Sequence, residues 1–141
     1  LPFEHLPRWV HFSNEGRDGN YDIKVKLLDL ETVQYKGFDT ITYKGLNEAV
    51  AQKVFDFVLV DGPFGSDHYS RSEVLDIARN NLAPRFCIIM DDTDRREERE
   101  TAEEVMSLLK ELKIDFCTTD CTSSKKHTII ASADLKFLLS L

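Results

Sequence analysis

Two short apolar runs in this chain each end in aspartate. Residues 55–60 (FDFVLV) lead directly into Asp61. Residues 86–90 (FCIIM) lead directly into Asp91 and Asp92. A nearly unbroken apolar run of this length is typical of a strand covered on both faces, as in a parallel sheet between layers of helices. Because ligands bind outside the carboxyl ends of strands in open α/β sheets, the pattern predicts three carboxylates at one functional edge.

The rest of the C-terminal two thirds alternates between helical and extended patterns. Apolar spacing predicts helices over about 46–54, 71–82 and 95–113, and it predicts strands over about 114–119 and 127–132. The last two strands are near enough in sequence to pair as an antiparallel hairpin. Alternating strands and helices imply right-handed crossovers. We therefore predict an α/β fold with a mostly parallel sheet, helices on both faces and a C-terminal antiparallel hairpin.

The N-terminal third is less regular. Residues 14–20 (NEGRDGN) favour turns, and residues 23–27 (IKVKL) alternate as a half-buried strand does. The following stretch to Tyr43 has an extended pattern broken near Gly37. No internal repeat, linker or low-complexity tract divides the chain, so we predict one domain over residues 1–141. The absent initiator methionine indicates a processed chain or a fragment, and we expect an N-terminal truncation.

Charge and composition exclude several classes of partner. The net charge of −7 argues against a general nucleic-acid or membrane surface. No apolar stretch approaches the roughly 20 residues that span a bilayer, and no secretory signal is evident. The cysteines Cys87, Cys117 and Cys121 are predicted to be reduced, as in a cytoplasmic protein. We therefore expect a small-molecule substrate, no nucleic acid, no membrane and a cytoplasmic location, with the oligomeric state open.

The combined motifs resemble the class I S-adenosylmethionine-dependent methyltransferases. The resemblance covers about residues 46–141 and rests on residues 55–63 (FDFVLVDGP), on Ser70 with Arg71, on residues 88–92 (IIMDD) and on the closing hairpin. It implies a Rossmann-like fold with six parallel strands and a seventh inserted antiparallel. It also implies S-adenosylmethionine as cofactor.

The same resemblance implies positions for the cofactor. The strand that carries the counterpart of Asp61 ends beside the transferred methyl group in that family, so Asp61 and Gly62 are expected at the cofactor. Glu4 matches the acid that holds the ribose hydroxyls at the end of the second strand. The family's glycine-rich turn has no counterpart, since Gly16 and Gly19 precede a predicted strand. The resemblance implies that the chain begins after that turn.

One subgroup, the catechol-type O-methyltransferases, gives a more specific expectation. Its magnesium ion is held by an acid after the fourth strand and a pair of residues after the fifth, which match Asp61, Asp91 and Asp92. Three hard oxygen ligands suit Mg²⁺, which would align a substrate hydroxyl. Phe64 stands where the subgroup has its lysine base. His68, in the loop beside the predicted site, is the candidate base here.

Each candidate also has a purely structural interpretation. Asp91 or Asp92 can cap the helix that follows, and Asp61 before Gly-Pro can be an ordinary turn residue. Arg71 fits a solvated surface arginine, although it could bind a carboxylate or phosphate. Asp92 and Asp94 also form an acid-x-acid motif, which suits a nucleotide-sugar transferase. The function predicted first is metal-assisted O-methyl transfer to a small molecule, and the alternative is a non-catalytic α/β binding or assembly module without cofactor.

Overall fold

The computed structural model describes residues 3–7, 25–63 and 65–140. Within them lie eight strands: β1 (Phe3–Glu4), β2 (Lys26–Leu27), β3 (Leu30–Tyr35), β4 (Phe38–Tyr43), β5 (Phe55–Val60), β6 (Leu82–Met90), β7 (Phe116–Thr122) and β8 (Lys126–Ser132). The α-helices of the same residues are α1 (Leu46–Val50), α2 (Val74–Asn80) and α3 (Arg96–Glu111). A 3₁₀ helix, Ala133–Ser140, follows β8. Gly16, Gly19, Ile23 and Phe64 lie outside the described residues.

The largest sheet has four strands in the order β5-β6-β8-β7. Strands β5 and β6 are parallel, with Val60 opposite Met90 at their carboxyl ends. Strand β8 runs antiparallel to both of its neighbours, β6 and β7. The predicted C-terminal hairpin is therefore confirmed, and it places Thr128, near the start of β8, opposite Met90. The aspartates that follow β5 and β6 share one edge of this sheet.

The predicted mostly parallel, Rossmann-like sheet with helices on both faces is wrong for the described residues. Only one of the three strand pairs in the largest sheet is parallel. The other strands form two separate two-stranded sheets, β1 with β2 and β3 with β4. Alternating sequence patterns predicted the type of most elements, but pairing depends on non-local contacts that the patterns do not encode. The fold is a mixed α/β arrangement of small sheets.

The stretch broken at Gly37 is an antiparallel hairpin. Tyr35 pairs with Phe38, so the loop between β3 and β4 has two residues. Both have positive φ, 50° at Lys36 and 86° at Gly37. Positive φ at both central positions is what a type I′ turn requires, and this turn matches the twist of the paired strands. The hairpin satisfies the backbone of both strands locally and lies outside the four-stranded sheet.

Strand β5 is covered on one face only. Val60 is buried in the core cluster, and Val58 packs against it. The same cluster includes Val74 and Ala78 of α2 and four apolar residues of α3, which are Ala102, Val105, Leu108 and Leu109. Both helices therefore cover the same face of the sheet. Phe57 and Leu59, on the opposite face of β5, are 54% and 59% exposed, so the expectation of two covered faces was wrong.

No helix within residues 3–7, 25–63 and 65–140 is long and apolar enough to cross a membrane.

Candidate metal and cofactor site

The structure brings Asp61, Asp91 and Asp92 together, as the sequence predicted. One carboxylate oxygen from each lies within 4.8 Å of the other two. The parallel pairing of β5 and β6 explains this meeting, because the backbone N–H of Asp91 donates to the carbonyl oxygen of Val60 at 3.0 Å. Asp61 is exposed, Asp91 is partly buried and Asp92 is buried. Oxygen atoms in this number and spacing are the donors that Mg²⁺ or Ca²⁺ binds in proteins.

The backbone after β6 turns sharply and orients the aspartate pair. Asp92 has φ 58°, in the left-handed region that Asp tolerates better than most residues. The Asp91 carboxylate accepts a 2.8 Å hydrogen bond from the backbone N–H of Asp92. The prediction that one of the two caps α3 was wrong, because Arg95 occupies the N-cap position and no side chain caps the helix. Neither carboxylate caps the helix, although Asp92 Oδ2 lies 3.4 Å from Nη1 of Arg95.

Arg71 is buried beneath the aspartates and is not the surface residue that the sequence suggested. It is 1% exposed. Its Nη1 donates to the carbonyl oxygens of Val60 and Asp91 at 3.2 and 2.9 Å, and its Nη2 lies 3.3 Å from Asp92 Oδ2. The same Nη2 lies 3.7 Å from Oε1 of the buried Glu98. Arg71 thus ties both strand ends to α3, while its Nε has no hydrogen-bond partner among the described residues.

Two further cationic side chains at the cluster were not identified from the sequence. Lys125 Nζ lies 2.8 Å from Asp92 Oδ1, and His127 Nδ1 lies 2.6 Å from Asp91 Oδ1. Lys125 lies in the turn between β7 and β8, and His127 is the second residue of β8. The pairing of Met90 with Thr128 brings this part of the hairpin beside the end of β6. Knowledge of the strand order would have placed both side chains beside the aspartates. The predicted hairpin alone was not enough, because the sequence does not show which strand pairs with it.

The charges of the cluster are unevenly distributed between its carboxylates. Partial burial raises the pKa of Asp61, and the hydrogen bond and charge of Asp91 raise it further. Burial alone would raise the pKa of Asp91. The hydrogen bonds from Asp61 and from the Asp92 backbone, together with the charge of Lys125, outweigh burial and hold this pKa below its ordinary value. Lys125 and Arg95 likewise lower the pKa of Asp92 against its burial. Of the three carboxylates, Asp61 is therefore the one whose protonated form is favoured by its surroundings.

Tyr43 lies close to Gly62, one of the residues that the family resemblance places at the cofactor. A Cβ on Gly62 would lie 3.2 Å from Tyr43 Oη. Burial raises the pKa of Tyr43 to about 12, and the negative charges of Glu4, Glu73 and Asp61 add to that effect. Glu4 also accepts hydrogen bonds from the backbone N–H groups of the two residues after it. Gly62 therefore lies against the Tyr43 phenol, and the charges of Glu4 and Asp61 act on that phenol, although Glu4 is outside the three-carboxylate group.

His68 lies in a different cluster. Its Nδ1 is 3.0 Å from Glu100 Oε2, and its ring stacks on Phe38 with centroids 4.0 Å apart. The metal-ligand group of the described residues does not include it. The prediction that His68 serves the aspartates as a base is therefore unsupported by its contacts. Asp94 also stays outside that group, and its carboxylate lies 3.5 Å from the backbone nitrogen of Lys126.

No protein-family model, no curated protein and no solved structure matches the chain.

Cys87, Cys117 and Cys121 are free thiols, as predicted.

Proposed function

We propose that the chain is an S-adenosylmethionine-dependent methyltransferase-like domain in which Asp61, Asp91 and Asp92 hold a divalent cation. The single observation that carries the proposal is the meeting of these three carboxylates within 4.8 Å at the carboxyl ends of parallel strands. The antiparallel insertion of β8 between β6 and β7 supports it, because the resembled family inserts its last strand in that way. The positions of Glu4 and Gly62 around Tyr43 add further support.

The donor set fits a hard cation. All three candidate ligands are carboxylates, which Mg²⁺ prefers, and no soft sulfur donor belongs to the group. A bound Mg²⁺ would act as a Lewis acid toward a substrate hydroxyl. Cation binding would favour the ionised form of Asp61, and Lys125 would leave Asp92. Lys125 is suited to leave, since half of its side chain is exposed.

The methyl donor would lie beside Asp61 and Gly62. S-adenosylmethionine supplies an activated methyl group on a sulfonium, and the chain's own residues would position the cofactor and exclude water. Asp61 and Glu4 would accept hydrogen bonds from its polar groups. A Cβ on Gly62 would lie 3.2 Å from Tyr43 Oη, so a side chain there would push against the phenol beside the expected cofactor position. The reaction class is O-methyl transfer to a small molecule.

A second candidate is a module without cofactor. The contacts of Asp91 and Asp92 with His127, Lys125 and Arg71 favour it, because Lys125 and Arg71 offset the carboxylate charge without any bound ion. In that account the cluster is a structural ion network that fixes the hairpin to the end of β6. The sequence lacks the glycine-rich turn of the resembled family, which also favours this candidate.

Calorimetric titration of S-adenosylmethionine, with and without Mg²⁺, distinguishes the two candidates. The methyltransferase proposal predicts binding in the micromolar range, or about −8 kcal/mol. It also predicts that Asp61→Asn and Gly62→Ala weaken binding, while Asp56→Asn, which changes an exposed aspartate of β5, does not. Absence of binding to a folded chain at millimolar cofactor would contradict the methyltransferase proposal and favour the structural network.

A further inference from the structure

The groove around His68 is a second polar site. It has a volume of about 520 Å³ and is lined by the β3–β4 hairpin, the loop before Tyr69 and the first turn of α3. This volume is within the range of small-molecule sites. The side chains that line it include Gln34, Phe38, Asp39, Asp67, His68 and Arg96. None of these residues belongs to the three-aspartate group.

His68 is held in one orientation and one tautomer. Glu100 Oε1 and Oε2 lie 3.1 and 3.0 Å from its Nδ1. Glu100 is fixed in turn, because the backbone N–H of Tyr69 donates to Oε2 at 3.3 Å. An ionised carboxylate only accepts hydrogen bonds, so Nδ1 carries a hydrogen, and in the neutral imidazole Nε2 keeps a free lone pair. The ring stacks on Phe38 at an interplanar angle of 28°, which fixes its plane.

His68 Nε2 belongs to a side chain that lines the groove. Among the described residues, none hydrogen-bonds His68 Nε2, and the side chain is 25% exposed in the groove wall. Arg96 closes one side, since its Nη2 donates to the carbonyl oxygen of Asp67 at 2.8 Å. Phe38 is 41% exposed and offers an aromatic surface.

The charges of the lining select the class of ligand. Asp39 and Asp67 are negative and Arg96 is positive, so the lining does not attract an anion. The side chain of Gln34 donates a hydrogen bond to Asp39, so that carboxylate is held in place. Exposed carboxylates and a neutral imidazole nitrogen are acceptors for hydroxyl groups, and an exposed phenyl surface suits a ring.

We propose that this groove binds a small neutral ring compound bearing a hydroxyl, and that His68 Nε2 accepts the hydrogen bond of that hydroxyl. Glu100 is a positioning residue, because it acts through the tautomer and orientation of His68. The proposal does not depend on the three-aspartate site. A cation or a cofactor can fail to bind there while this groove still binds its ligand.

Nitrogen NMR of the histidine side chains, with phenol as the probe and a chelator present, tests the proposal. The free protein is expected to show His68 protonated on Nδ1 only. Phenol should shift the Nε2 resonance of His68, whereas methoxybenzene, which has the ring without the hydroxyl, should shift it far less. His68→Gln should weaken phenol binding by about tenfold or more.

Three variants separate binding from folding. Glu100→Gln should leave phenol binding weaker and change the His68 tautomer, which a merely structural role would not do. Phe38→Leu should weaken binding while the tautomer stays the same. His127→Gln, which alters an imidazole paired with a different carboxylate, should change neither readout. Phenol binding that leaves the His68 resonance unmoved, or that is equal in native protein and a folded His68→Gln variant, would overturn the proposal.

Discussion

Replacing Arg71 by alanine is expected to destabilise the protein by about 3–5 kcal/mol, because it removes one partner from a buried ion network. Arg71 is 1% exposed. Its guanidinium pairs with the carboxylates of Asp92 and Glu98 and donates hydrogen bonds to two backbone carbonyls at the ends of β5 and β6. Glu98 is also 1% exposed, and without Arg71 its charge would lose its buried partner. Urea unfolding measures the loss.

Two control variants make this prediction specific. Arg79→Ala changes an exposed arginine of α2 and should alter the free energy of unfolding by less than about 0.5 kcal/mol. Arg71→Lys keeps the charge but loses the forked geometry that reaches both strand ends, so its loss should be smaller than that of alanine. A loss for Arg71→Ala no greater than that for Arg79→Ala would contradict the buried-network account.

Replacing Glu73 by glutamine is expected to stabilise the protein at neutral and alkaline pH. Burial raises the pKa of Glu73 to about 8, and no residue in the described part of the chain forms a hydrogen bond with its enclosed Oε2. The unfolded chain loses this proton near pH 4.5, whereas the folded chain keeps it up to pH 8. Stability of the native protein therefore falls as pH rises through that window. The gain from Glu73→Gln should reach several kcal/mol above pH 8, because each unit by which the folded pKa exceeds the unfolded pKa is worth about 1.4 kcal/mol.

Thermal unfolding of the native protein and of Glu73→Gln between pH 4 and pH 9 tests whether native stability falls as the pH rises. The difference in stability should be small at pH 4, grow between pH 4.5 and pH 8, and stay constant above it. Glu111→Gln, at an exposed position of α3, should leave the pH profile unchanged. A difference that is already complete at pH 4 would mean that the proton of Glu73 has no part in it.

The sequence predicted the meeting of Asp61 with Asp91 and Asp92 because two local patterns were enough. Each apolar run fixed the end of its own strand, and neighbouring parallel strands end at the same edge. The C-terminal hairpin was also predictable from local sequence, since few residues separate β7 from β8. The mostly parallel sheet was not predictable in this way, because the partner of each N-terminal strand is chosen by distant contacts.

The surroundings of the cluster were missed for a related reason. Arg71 looks like a surface residue in a polar stretch, and only the tertiary structure shows that both strand ends cover it. Lys125 and His127 come to the aspartates through the pairing of β8 with β6. His68 was expected beside Asp61 because it is near in sequence. The loop instead carries it to Glu100 of α3 and Phe38 of the hairpin.

Calorimetric titration of Mg²⁺ into the metal-free protein tests the central claim most directly, that the three aspartates form a cation site. The account predicts one ion per chain, and about tenfold or more weaker binding in Asp91→Asn. Asp56→Asn should bind as the native protein does, and Lys125→Ala should bind more tightly, because the cation no longer competes with the ammonium group at Asp92. Affinity should fall as pH is lowered through the raised pKa of Asp61. Absence of binding, or equal binding by native protein and Asp91→Asn, would contradict the account and leave the cluster as a structural ion network.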